Sequence, residues 1–111
     1  MRIGLIGGTG IYDFGDSFLT IETLYGKVDV WFSKKNGQEI FFLPRHGKEH
    51  KKPPHRVNYM ANIHALKNCK VERIIALSTV GSMRENIKPG SIFIPSDFID
   101  ATNKQLFLIM K

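Results

Sequence analysis

Asn36-Gly37 separates two apolar, β-rich segments, residues 28–33 (VDVWFS) and 39–43 (EIFFL). Asparagine and glycine tolerate positive φ at the two central positions of a type I′ turn, whose twist matches that of paired strands. This stretch is therefore expected to form an antiparallel hairpin, and the rest of the chain must be built around it. Arg2 to Ile6 reads as a short buried strand running into Gly7, Gly8, Thr9 and Gly10, a loop that glycine backbone can turn tightly. After Pro53 and Pro54, the positions Val57, Met60, Ala61, Ile63, His64 and Leu66 recur near helical spacing through about Lys67, which predicts an amphipathic helix. Val71 to Leu77 reads as a second buried strand ending in the small residues Ser78, Thr79, Val80, Gly81 and Ser82. Pro89-Gly90 predicts a turn, Ile92 to Pro95 a short strand, and 97–100 a further strand or strand edge. A hairpin is antiparallel and a helical crossover favours parallel neighbours, so the expected class is α/β with a mixed central sheet flanked by helices. Neither a repeat nor a linker divides residues 1–111, and one domain is expected.

The formal charge of +6 favours anionic ligands. Much of the excess comes from Lys48, Lys51, Lys52 and Arg56, close to Arg45 and three histidines, which points to one anion site; a solvated lysine face is the other reading of the same residues. The single cysteine, Cys69, excludes an intrachain disulfide and fits a reducing compartment, with the cytoplasm as the default. The apolar stretch in MRIGLIGGTG is too short and glycine-broken for a signal peptide, and no apolar run approaches the ~20 residues of a membrane helix. Neither secretion nor membrane insertion is expected.

Ligands of open α/β sheets collect at the carboxyl ends of strands. Three polar clusters fall at such ends: Gly7 to Gly10, Arg45-His46 after FFLP, and Ser78-Thr79 after IIAL. Backbone N–H groups of Gly8 and Gly10, hydroxyls of Thr9, Ser78 and Thr79, and the Arg45 guanidinium together complement a tetrahedral oxyanion, most simply phosphate. Each cluster alone has a plainer reading. The glycines could be only a tight turn, and Arg45 could only pair with a surface carboxylate. A dinucleotide fold is disfavoured, because Asp13 stands where its fingerprint needs a small residue and Glu22 is a poor ribose ligand. His46, His50, His55 and His64 lack the spacing and cysteine partners of a zinc site, so no metal is expected, and His64 is expected to be a packing or surface histidine.

Four blocks in order, IGLIGGTGIYD, LPRHGKEH, PPHRVNYMANIHALK and STVGSMRENIKPGSIFIPSDFIDAT, resemble the methylthioadenosine phosphorylase branch of the purine nucleoside phosphorylase family. The resemblance implies phosphorolysis of a purine nucleoside without cofactor or metal, phosphate being a co-substrate. It assigns Thr9, Arg45, His46, Ser78 and Thr79 to phosphate, with the backbone of Gly8, Gly10 and Gly81 close by and His50 and Val80 toward the ribose or 5′ substituent. Ser78 stands where several relatives carry threonine, which keeps the hydroxyl. Nucleic acid and membrane are not implied as partners, whereas a homotrimer or hexamer is implied for the full-length family. The family's second half, with its EGPRF-like segment and the residues that grip the base, is not recognisable after FIDAT, where the chain reads NKQLFLIMK. A truncated or frameshifted product, inactive alone, is therefore expected. The block similarity favours methylthioadenosine as the nucleoside, with methylthioinosine or inosine and guanosine as alternatives, and a noncatalytic phosphate- or nucleotide-binding module is the alternative function.

Overall fold

The computed structural model describes residues 1–8, 17–47 and 52–101. At its centre the Asn36-Gly37 pair takes φ of 51° and 76°, joining β3 (Gly26–Lys35) to β4 (Gln38–Pro44) as the expected hairpin. With β1 (Arg2–Gly7), β2 (Ser17–Thr23) and β5 (Arg73–Ala76) they make a five-stranded sheet in the order β2-β3-β4-β1-β5. β2 and β3 pair antiparallel, whereas β1 runs parallel to both β4 and β5. The sheet is thus mixed, as the combination of hairpin and crossover requires.

β2 has no counterpart in the sequence reading. Most of its residues are exposed at the sheet edge, so SFLTIET carries no buried face for a periodicity to reveal. Its turn into β3 is held by Thr23, whose Oγ1 donates to the Gly26 carbonyl at 2.6 Å and accepts from the Tyr25 N–H at 3.0 Å.

The crossover from β4 to β5 carries a short 3-10 turn, Pro54–Arg56, and α1 (Tyr59–Asn68). α1 begins two residues later than Val57 because Asn58 caps it, accepting from the Ala61 N–H at 3.1 Å. It ends in a Schellman motif: Lys70 N–H reaches Lys67 O at 2.9 Å, Val71 N–H reaches Leu66 O at 3.2 Å, and Lys70 sits at φ 57°. Ala61, Ala65 and Leu66 form the buried face of α1, packing with Val28, Val30, Phe41, Leu43 and Cys69. Gly4 lets the helix come close, since a Cβ there would lie 3.2 Å from Leu66 Cδ1 and 3.0 Å from Val71 Cγ1. The strand expected from Val71 to Leu77 narrows to Arg73–Ala76, because Val71 is used in closing the helix.

The chain divides into two compact units, Met1–Thr79, which holds all these elements, and Val80–Lys111. In the second unit Pro89 and Gly90 form the expected turn, with Gly90 at φ 86° and Ser91 N–H bonded to Lys88 O at 3.1 Å. The strands expected at Ile92 to Pro95 and at 97–100 are not present. A strand exists only by pairing, and among the described residues neither segment has a ladder partner; Ile92, Ile94 and Ile99 are nearly fully exposed.

Candidate anion site at the strand ends

The three parallel strands β4, β1 and β5 end together. Their pairing runs past the last ladder residues, with Arg45 N–H donating to Gly7 O and Leu77 N–H to Ile6 O, both at 2.8 Å. Gly8, Arg45 and Ser78, which lie far apart in sequence, are therefore delivered to one edge of the sheet. The Arg45 guanidinium crosses the end of β1. Its Nη1 donates to Ser78 Oγ at 3.3 Å, and its Nη2 and Cζ lie 2.5 Å and 3.2 Å from where a side chain on Gly8 would begin. Two of the three predicted clusters thus touch directly, and the third is represented by Gly8.

His46 follows in the turn after β4, closed by Gly47 N–H to Pro44 O at 3.0 Å. It is buried, its Nδ1 lies 2.9 Å from the Lys52 carbonyl, and Lys52 N–H returns a bond to His46 O at 3.0 Å. A carbonyl only accepts, so Nδ1 carries the proton, and Nε2 is the ring's lone-pair nitrogen when the ring is neutral. Gly47, at φ 83°, makes the reversal that lets residues 46 and 52 clasp. A polar cleft of about 220 Å³ lies beside them, lined among others by Arg45, Gly47, Lys52, Asp29, Asn58 and Asn62.

Thr79 closes the first unit, next to Ser78. Val80 and Gly81 belong to the second unit and are exposed. Thr9, Gly10 and His50 lie outside the described residues. His64 packs edge-on against the Tyr25 ring, with centroids 5.6 Å apart, in keeping with a packing histidine. Asn58 is what the sequence reading missed: besides capping α1 it donates from Nδ2 to Tyr25 O at 2.8 Å, fixing the helix start to the β2-β3 turn. Its place just after the prolines and before the helical periodicity was the available signal. Among the described residues no three His, Cys, Asp or Glu side chains gather as a metal cage, and no helix is long and apolar enough to cross a membrane.

A mixed sheet whose parallel strands deliver an arginine, a hydroxyl and a glycine to one carboxyl edge defines an α/β protein with its polar residues gathered where ligands of such sheets collect. Residues 2–108 match the family model of the Phosphorylase superfamily, and the chain belongs to that superfamily. It is 51% identical over 105 residues to a probable S-methyl-5′-thioinosine phosphorylase of Methanocaldococcus jannaschii, covering 93% of this chain and 41% of that one. It is 48% identical over 108 residues to the S-methyl-5′-thioadenosine phosphorylase of Thermococcus kodakarensis, covering 94% and 42%. Among solved structures, the ligand-free methylthioadenosine phosphorylase of Schistosoma mansoni superimposes with a TM-score of 0.75 at 35% identity, over 80% of this chain and 34% of that one. The chain spans about two fifths of the length of the curated relatives it matches.

Proposed function

We propose that this chain is the phosphate-binding part of a purine nucleoside phosphorylase, with S-methyl-5′-thioadenosine as the first candidate substrate. The observation that carries the reading is the Arg45 guanidinium, held over Gly8 and bonded to Ser78 where the three parallel strands end. In phosphorolysis a phosphate oxygen forms a bond to the anomeric carbon of the sugar. The bond from that carbon to the purine nitrogen breaks with its electron pair going to the base, which takes up a proton from solvent as the newly formed sugar phosphate gives one up. Positive charge develops on the ribose as in glycoside hydrolysis. Arg45, with the hydroxyls of Ser78, Thr79 and Thr9, binds and orients phosphate, and the bound dianion stabilises the developing charge. The family resemblance assigns His46 and the backbone of Gly10 and Gly81 to phosphate, and His50 and Val80 to the ribose or 5′ substituent. No cofactor or metal is needed, because the nucleophile is already an anion.

Relatives named for methylthioinosine, methylthioadenosine and 6-oxopurine nucleosides stand at 51%, 48% and 45% identity, so the base is to be determined by assay. A cytoplasmic location and assembly as a homotrimer or hexamer are part of the same proposal. A noncatalytic phosphate- or nucleotide-binding role is the second reading, supported by the same cluster of Gly8, Arg45 and Ser78 at the strand ends.

Calorimetric titration with inorganic phosphate tests the site. Binding to the wild-type chain and a loss of about tenfold or more in Arg45→Ala are expected, since a charge-assisted hydrogen bond contributes roughly 1.5–3 kcal/mol. Wild-type affinity in R45A overturns the reading. The same protein, incubated with phosphate and each of the three nucleoside classes, is expected to release no free base; phosphate-dependent release would show that the 111-residue chain is itself an active enzyme.

A further inference from the structure

Gly8 has no positive φ, so its backbone accepts any L-residue; what stands against a side chain there is the Arg45 guanidinium, with Nη2 2.5 Å and Cζ 3.2 Å from the Cβ position. The Leu77 carbonyl, at 3.5 Å, is in ordinary contact. We propose that Gly8 is a positioning residue for Arg45: its missing Cβ leaves the space that the guanidinium occupies at the end of β1 while it bonds Ser78. The inference rests on the reading of Arg45 as an anion ligand and adds to it the device that aims the ligand.

The physical asymmetry makes this testable. Close contact at a glycine is usually with backbone, and a methyl group then costs folding stability. Here the obstructing atoms are the far end of a flexible side chain, which can swing away. Gly8→Ala should therefore leave the fold intact and displace the guanidinium, separating binding from stability. Nη1 would lose Ser78, and the charge would move off the edge where Gly8 and Ser78 meet.

The test is a double-mutant cycle on the full chain with wild type, G8A, R45A and G8A/R45A, read by melting temperature and by calorimetric titration with inorganic phosphate. G8A is expected to melt within a few degrees of wild type and to lose at least fivefold in phosphate affinity. In the R45A background it should cause no further loss. Wild-type affinity in G8A overturns the inference, and so does a further fivefold loss on adding G8A to R45A, which would mean that the methyl group obstructs the anion itself and not the arginine. An unfolded G8A overturns it as well, since the obstruction would then be more than a movable side chain. If R45A itself binds phosphate like wild type, the anion reading fails, and the positioning role of Gly8 is decided separately by the ¹⁵Nε resonance of Arg45. That signal should shift between wild type and G8A, and its constancy would sink that role.

Discussion

Leu66 is fully buried and lies against Gly4, so truncation leaves a cavity that neighbouring strands cannot collapse into. Leu66→Ala is expected to cost about 2–5 kcal/mol, read as a lowered urea midpoint at unchanged slope. Lys70 offers the opposite case. It closes the Schellman motif at φ 57°, a conformation in which an L-side chain crowds the backbone at roughly 1–2 kcal/mol. Lys70→Gly should therefore stabilise the protein by up to about 1 kcal/mol, after the added chain entropy of glycine in the unfolded state. Cys69 is buried at the same helix end, and burial pushes its thiol pKa up, with the nearby Arg2 charge partly opposing. A raised folded-state pKa favours the neutral thiol. This contribution is present below the ordinary thiol range and disappears as pH rises through the folded value. Stability measured by denaturant should fall above about pH 9, and native Cys69 should react with thiol reagents far more slowly than the unfolded chain.

At the scale of elements, Asn58 links two pieces, capping α1 while donating to the Tyr25 carbonyl in the β2-β3 turn. Asn58→Ala should cost about 1–2 kcal/mol, read by the same urea titration, whereas Asn58→Ser, a good cap too short to replace the amide toward Tyr25, should cost less by keeping an acceptor for the helix start. The elements legible in the sequence were those with local signatures: the hairpin through Asn36-Gly37, the helix through its apolar spacing, and β1 through its run into glycine. β2 was not, because a strand at an exposed edge has little apolar patterning of its own. Residues 92–95 went wrong in the other direction. Their apolar, β-rich composition expresses a preference, and no described strand lies beside them to satisfy it. Within the site, the residue types and strand-end placement of Gly8, Arg45 and Ser78 could be read directly. That the arginine lies on the glycine could not, since β1 sits between β4 and β5 only in the folded topology.

Across the whole molecule, burial is concentrated in the middle of the sheet and thins toward β5, where Ile74, Ile75 and Leu77 remain 45%, 50% and 38% exposed. Apolar edges of this kind pair readily with other chains. Ile75→Lys is expected to lower light scattering at high concentration while leaving the melting temperature nearly unchanged; equal scattering would locate self-association elsewhere. The central position of β1 has a further consequence, one of timing. RIGLIG leaves the ribosome before both of its partners, Glu39 to Pro44 and Arg73 to Ala76, have been made. At about 5–20 residues per second, an apolar strand waits on the order of several seconds for its first neighbour and longer for its second. Throughout that interval β1 is a short extended apolar segment without its strand neighbours, the state in which non-native pairing with other chains is easiest.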